Sequence, residues 1–330
     1  MSGGQDRRSF FAELIRSAAR SAADFQDDDG GTPEPEALGF ADGDDLGQAT
    51  VPAAPAQRLA SLDAVRLLCR ELGFGARADE AVAAARVGVR LTPGGDGGSK
   101  LGGSPALPPG FTWPTWGGEE LSFLGEVRLD ELPAPLLEGD GRLLFFYALA
   151  SRPAGLEPED GDACRVMLVG TEVGVEPDDR SATLPEMLVA LSAELTLPLD
   201  LGDGLEPEEA AVWLSVREQL AALQGVELDE RSACYQSLHR LLGYPDALVD
   251  DMPLDAELVA HGVSADAGDR YVHPDLGAFE RGAAGWRLLF QLSSDHDLGV
   301  SFGLGERLYV WIREDDLRAG RFDAVRAFVR

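Results

Sequence analysis

Beyond residue 58 the spacing of apolar positions changes period several times. Leu62, Val65, Leu68, Cys69 and Leu72 fall on one helical face, with Ser61 placed to cap the start and Gly73 to end it. A short helix is expected to follow over 79–86. Val87, Val89 and Leu91 then alternate as a strand that runs through Pro93-Gly94-Gly95 into a turn-rich arm, 99–116. The arm carries Gly102-Gly103, Pro105, Pro108-Pro109, Pro114 and the pair Trp113 and Trp116, and it leads into the strand-like run LSFLGEVRL. Further strands are expected at 141–148 and 163–170, and where Val189, Leu191, Ala193, Leu195 and Leu197 alternate into Pro198. The spacing predicts a helix over 206–223, with Pro207 in its first turn and Val212, Trp213, Val216, Leu220 and Leu223 facing inward. A second helix is expected over 232–242, closed by Gly243-Tyr244-Pro245, and LLFQLSS and RLYVWI read as the last strands.

Strand runs cluster instead of alternating with helices, which predicts an α+β domain from 58 to 330 built on a mixed or antiparallel sheet with helices at its margins. A faint internal echo accompanies this. Glu126 and Arg142 are sixteen residues apart, as are Gln291 and Arg307, and each pair brackets two apolar strands. Duplication of a β-unit and chance are both open. Duplication would place Glu126 and Gln291 at equivalent positions on facing or adjacent sheets.

The first 57 residues follow another pattern. In 1–24, Phe10, Phe11, Leu14, Ile15, Ala18 and Ala22 recur at helical spacing with arginines on the other faces. Arg7-Arg8 resembles the start of an export signal, but Glu13, Arg16, Arg20 and Asp24 interrupt the apolar run such a signal requires, so export is not expected. Segment 25–57 has no basic residue and reads as an acidic, disordered linker. The organisation expected is thus an amphipathic N-terminal helix tethered to the α+β domain. Phe10, Phe11, Leu14 and Ile15 are candidates for binding a protein partner, and docking on the chain's own domain competes with that reading.

Charge narrows the partners. The 330 residues carry a net charge of -30, with 28 basic against 58 acidic residues, so nucleic acid and anionic membranes are not expected as partners. Three cysteines far apart, with no C-x-x-C pair, suit free buried thiols in a reducing cytoplasm.

Candidate chemistry is sparse. There is no G-x-S-x-G elbow and no P-loop. Gly94 to Lys100 is glycine-rich, but no helix is expected to follow it. Asp295-His296-Asp297 reads as a solvated turn before it reads as a metal site, and neither metal nor cofactor is expected. Glu126 and Gln291 lie inside apolar strands. They are either buried groups bonding the backbone of the arm or members of a ligand pocket between arm and sheet, with Lys100, Trp113 and Arg307 as the other candidates. The functional expectation is a non-catalytic interaction module, regulatory or protective toward a protein partner. The alternative is an enzyme or small-ligand binder using that pocket.

The runs SKLGGSPALPPGFTWP, LSFLGEVRLDELP and GRLLFFY, followed by HRLLGYPD, DMPLDAELVAHG, WRLLFQLSSD and RLYVWIREDDLRAGRFDAV, resemble the YwqG-like family of soluble bacterial proteins of unknown function. The resemblance extends from about Arg58 to the C-terminus and implies no activity. Three positions depart from the family pattern: Glu126 where the strand usually carries Gln, Ser293 at an acidic position, and Leu304 where a turn Asp is usual.

Overall fold

A computed structural model describes residues 61–330 apart from 134–135, 138–139, 171–183, 202–204, 227, 230–233, 236–237, 248–250, 267, 269 and 304–305. The expected N-terminal helix with Phe10, Phe11, Leu14 and Ile15, the segment 25–57 and the departure at Leu304 lie outside the described residues.

In chain order the elements are α1 (Leu62–Glu71), α2 (Ala78–Ala84), β1 (Arg86–Pro93), β2 (Lys100–Leu101), β3 (Thr115–Trp116), β4 (Glu119–Glu120), β5 (Ser122–Arg128), β6 (Arg142–Tyr147), β7 (Cys164–Val169), β8 (Met187–Thr196), α3 (Pro207–Leu223), β9 (Leu228–Asp229), β10 (Cys234–Tyr235), β11 (His239–Leu242), α4 (Met252–Ala260), α5 (Leu276–Ala283), β12 (Trp286–Ser293), β13 (Arg307–Arg313), α6 (Glu314–Arg318) and β14 (Arg326–Val329). Local chemistry sets several boundaries. Ser61 Oγ accepts from Ala64 N at 3.2 Å and starts α1. Glu206 and Glu209 form a capping box around Pro207 at the head of α3.

Among the described residues, ten strands make one sheet in the order β14-β13-β12-β11-β1-β8-β2-β5-β6-β7, and every pairing is antiparallel. The architecture is therefore α+β with one large antiparallel sheet. The sheet curls toward a barrel. Phe145 on β6 stacks on Phe290 on β12 with ring centroids 4.3 Å apart, although five strands lie between them in the sheet. Val89, Leu91, Leu101, Leu143, Leu241, Leu308 and Val310 fill the same inner face.

Three covers close the outer face. Helices α1 to α3 set Val65, Leu68, Cys69, Trp213, Val216 and Leu220 on Leu195 and Leu197 of the central strand and its exit. The arm lays Leu107, Phe111, Trp113 and Trp116 over Phe123, Leu144 and Phe146. Helix α4 places Met252 and Ala256 over Trp286, Tyr309 and Trp311. Fully covering a side chain of this size contributes about 1.5–3 kcal/mol.

Hydrogen-bond register repeats across the centre of the sheet. Lys100 pairs with Glu126 and Arg240 with Gln291. Glu126 then pairs with Leu144, and Gln291 with Tyr309, each eighteen residues on. Both hairpins carry an irregularity at the same place, between Phe123 and Gly125 and between Leu288 and Phe290. The strands leave through matching turns: Gly102 and Gly103 have φ of 62° and 68°, Leu242 and Gly243 of 60° and 72°. Lys100 Nζ donates to Ser104 O and Arg240 Nη1 to Tyr244 O, both at 2.8 Å and both four residues ahead.

Two expectations need correction. The region read as a helix over 232–242 holds strands β10 and β11 among its described residues. The spacing alone allowed a helix, but β11 sits between β1 and β12 and is buried at all four positions, so sheet pairing overrides local preference. On α3, Leu223 is 60% exposed and Ala210 takes a place in the core instead, because the helix ends where its cover of β8 ends.

Candidate functional site

The five pocket candidates from the sequence do not converge. Lys100 on β2, Glu126 on β5 and Trp113 lie at the arm, whereas Gln291 on β12 and Arg307 on β13 lie beyond β8, β1 and β11 in the same sheet, not on facing sheets. At the arm, Glu126 is buried and its Oε2 accepts from Arg142 Nη1 at 3.1 Å, while Arg142 Nη2 donates to Ala106 O at 2.7 Å. Glu126 therefore reaches the arm backbone through Arg142. Lys100 Nζ also meets Glu186 at 2.8 Å. Trp113 Nε1 donates to Leu121 O at 2.8 Å and Trp116 Nε1 to Glu159 O at 3.1 Å, and Trp113 packs edge-on to Phe146 at 5.2 Å. Both indole N–H groups are spent on backbone, which is how the pair locks the arm down.

In the other half, Gln291 is fully buried. Its Nε2 donates to Leu238 O at 2.8 Å and to Asp246 Oδ2 at 3.1 Å, and its Oε1 accepts from Asp246 N at 2.9 Å. Its partners are Leu238 and Asp246, on either side of β11, not the arm. Arg307 Nε donates to Ser293 Oγ at 3.0 Å. That hydroxyl also accepts from Leu238 N and donates to Leu238 O. His239 Nδ1 accepts from Ser293 N at 3.3 Å, so Nε2 carries the proton shared with Asp295 Oδ2 at 3.2 Å. His, Ser and Asp are close here, but both ring nitrogens and the hydroxyl are occupied. The set lacks the free base-to-nucleophile bond that acyl transfer requires.

A cleft between these regions gathers buried charge. It is lined by Arg90 of β1, Glu194 and Thr196 of β8, Arg217, Ala221 and Gln224 at α3, and Arg240, Tyr244 and Asp246 at the exit of β11. Arg90 Nε and Nη2 donate to Glu194 Oε2 at 2.8 and 2.5 Å, and Arg90 Nη1 donates to Gln224 O at 2.8 Å. Arg240 Nε donates to Glu194 Oε1, and its Nη1 donates to Asp246 Oδ1 at 2.8 Å. One carboxylate thus holds two guanidiniums, with all three side chains at most 5% exposed. Burial works to raise the Asp246 carboxyl, but Arg240, Gln291 and the field of Arg307 hold it below the usual carboxylate range.

Sequence reasoning missed Arg90, Glu194, Arg217, Arg240 and Asp246. A signal was present for three of them. Arg90 in VGVRL, Glu194 in LSAELTL and Arg240 in LHRLLG are charges inside apolar strands, and a charge so placed requires a partner across the sheet.

Glu126 offers a pH test. Burial, against Arg142 and Lys100, raises its carboxyl above the ordinary 4.5. The folded state then keeps the proton to higher pH than the unfolded chain does. Its contribution is fully present below 4.5 and is lost as pH rises through the folded value. Glu126→Gln should remove that decline and stay within about 1 kcal/mol of wild type at the acid end, because the amide oxygen still accepts from Arg142. Urea unfolding across this pH range checks it, and an unchanged slope would assign the decline to other groups.

Cys69 and Cys164 are buried free thiols, and burial pushes Cys164 up to about 12. Among the described residues no group of three His, Cys, Asp or Glu side chains is arranged to hold a metal ion, and no helix is long and apolar enough to cross a membrane. Residues 99–329 match the family model of a domain of unknown function, DUF1963. No curated protein matches the chain.

Proposed function

The chain belongs to the DUF1963 family, and we propose that it is a non-catalytic binding module whose ligand enters the cleft between α3, β8 and β11. The observation that carries this reading is a contrast. The groups with catalytic potential, His239, Ser293 and Asp295, are closed on one another and on backbone, whereas the cleft is an open depression whose wall includes Arg217, a guanidinium that hydrogen-bonds to none of the described residues. Ala221 lines that depression, and Ala221→Trp should fill it. In a thermal-shift screen of small molecules, the largest rise in melting temperature should disappear in Ala221→Trp. A rise that persists in the variant would place the ligand elsewhere.

The protein-partner reading belongs to the same proposal and rests on Phe10, Phe11, Leu14 and Ile15, which recur at helical spacing ahead of an acidic linker. In the full chain, Phe11→Asp with Ile15→Asp should abolish capture of a partner and leave the melting temperature unchanged. A fall of several degrees would instead assign this face to the chain's own core. We also read the repeated register as duplication of a β-unit, and the seven quoted runs as a YwqG-like protein of a reducing bacterial cytoplasm. The two buried free thiols support that compartment.

A further inference from the structure

We propose that the cleft is an oxyanion site, anchored by Arg217, that takes the carboxylate or phosphate group of a small ligand; this rests on the reading of the cleft as the binding site. Arg90, Arg217 and Arg240 line the cleft against Glu194 and Asp246, and Arg86 lies over the Tyr244 ring at 4.2 Å. Glu194 is engaged by two guanidiniums, and Asp246 is held by Arg240 and Gln291. These pairs offset one another. Arg217 is different: its guanidinium hydrogen-bonds to none of the described residues, and it forms no ion pair with Glu194 or Asp246. Nη2 of Arg240 likewise donates to no described residue.

The other polar groups of the wall are spent. Thr196 Oγ1 accepts from Tyr244 N and donates to Arg86 O. Gln224 bonds Leu195 N, Leu195 O and Leu220 O. The capacity left in the cleft is donor capacity on arginine, within a chain whose net charge is -30. Such a cleft selects an acceptor that carries negative charge, and a planar guanidinium holds carboxylate or phosphate oxygens in pairs. An interior volume of about 40 Å³ admits one compact group. That is room for roughly three waters, so the remainder of the ligand stays at the mouth.

The test is isothermal titration of the full-length protein with inorganic phosphate and, separately, with succinate, at low and high salt. Binding of at least one is expected, weakening as salt rises. Arg217→Gln should weaken it by about tenfold or more, with the melting temperature unchanged because Arg217 bonds no described residue. Arg217→Lys should recover part of the loss, since it keeps the charge and forfeits the paired geometry. The better-bound probe assigns the group as phosphate or carboxylate. Equal affinity in wild type and Arg217→Gln would mean an adventitious ion only and overturns the proposal, as does absence of binding by both probes. A neutral ligand whose thermal shift is lost in Ala221→Trp but kept in Arg217→Gln would overturn the oxyanion assignment alone, leaving the cleft as the binding site.

Discussion

Replacing Glu194 with leucine should lower stability by about 3–5 kcal/mol in urea unfolding. The carboxylate is 3% exposed and faces Arg90 and Arg240, themselves 5% and 4% exposed. Removing it leaves two guanidiniums in a wall formed by Leu195, Leu197 and Leu220. Arg240 keeps Asp246 as a partner at 2.8 Å, but Arg90 retains only the carbonyl of Gln224. The penalty therefore falls mostly on Arg90. It follows that Arg90→Met combined with Glu194→Leu should be more stable than Glu194→Leu alone, because a matched apolar pair needs no counter-charge. A loss below about 1 kcal/mol for Glu194→Leu would mean that water solvates the cluster as it does a surface ion pair.

The same cluster explains what could be read from the sequence and what could not. Local signals were legible wherever one residue decides an element. Ser61 starts α1, Pro207 starts α3, and the alternation from Val189 to Leu197 is a strand. The α+β class followed from the clustering of strand runs, which left mixed and antiparallel sheets both open. The order of strands did not, because β1 has partners some hundred and some hundred and fifty residues away, and no local pattern encodes such a pairing. The misreading of 232–242 has the same origin. Leu238 to Leu242 are buried on both faces of the sheet, and a short run buried on both faces has no period to distinguish strand from helix. The candidate site was half legible. Glu126 and Gln291 were singled out as polar groups inside strands, and both are buried and bonded. The expectation that they share one pocket leaned on equivalent positions in two copies of a β-unit, whereas the sheet sets those positions on opposite sides of its centre.

Gly102→Ala should cost clearly more than Gly110→Ala, although both glycines have left-handed φ, 62° and 78°. A side chain in that region costs about 1–2 kcal/mol from the dihedral alone. Gly110 has nothing within 4 Å of a Cβ, so alanine there should carry only that cost. At Gly102 a Cβ would overlap the carbonyl oxygen of Pro185 and lie 3.1 Å from Leu184 Cβ. The turn cannot move aside, because Gly102 N donates to Leu124 O at 2.8 Å and Gly103 N to Leu184 O at 3.0 Å. The matching turn of the other half separates the two effects: Leu242 has φ of 60° and carries a full side chain buried in the core. The dihedral therefore admits a side chain at this place in the repeat, and the close approach of the 184–185 backbone is what excludes one at Gly102. Equilibrium urea unfolding of the two alanine variants, compared at equal m-value, measures the difference. Equal losses would mean that the dihedral alone sets the penalty and that the segment at Pro185 yields without cost. An excess of about 1 kcal/mol or more at Gly102 would place the added strain in that backbone contact, at the point where the arm leaves the sheet.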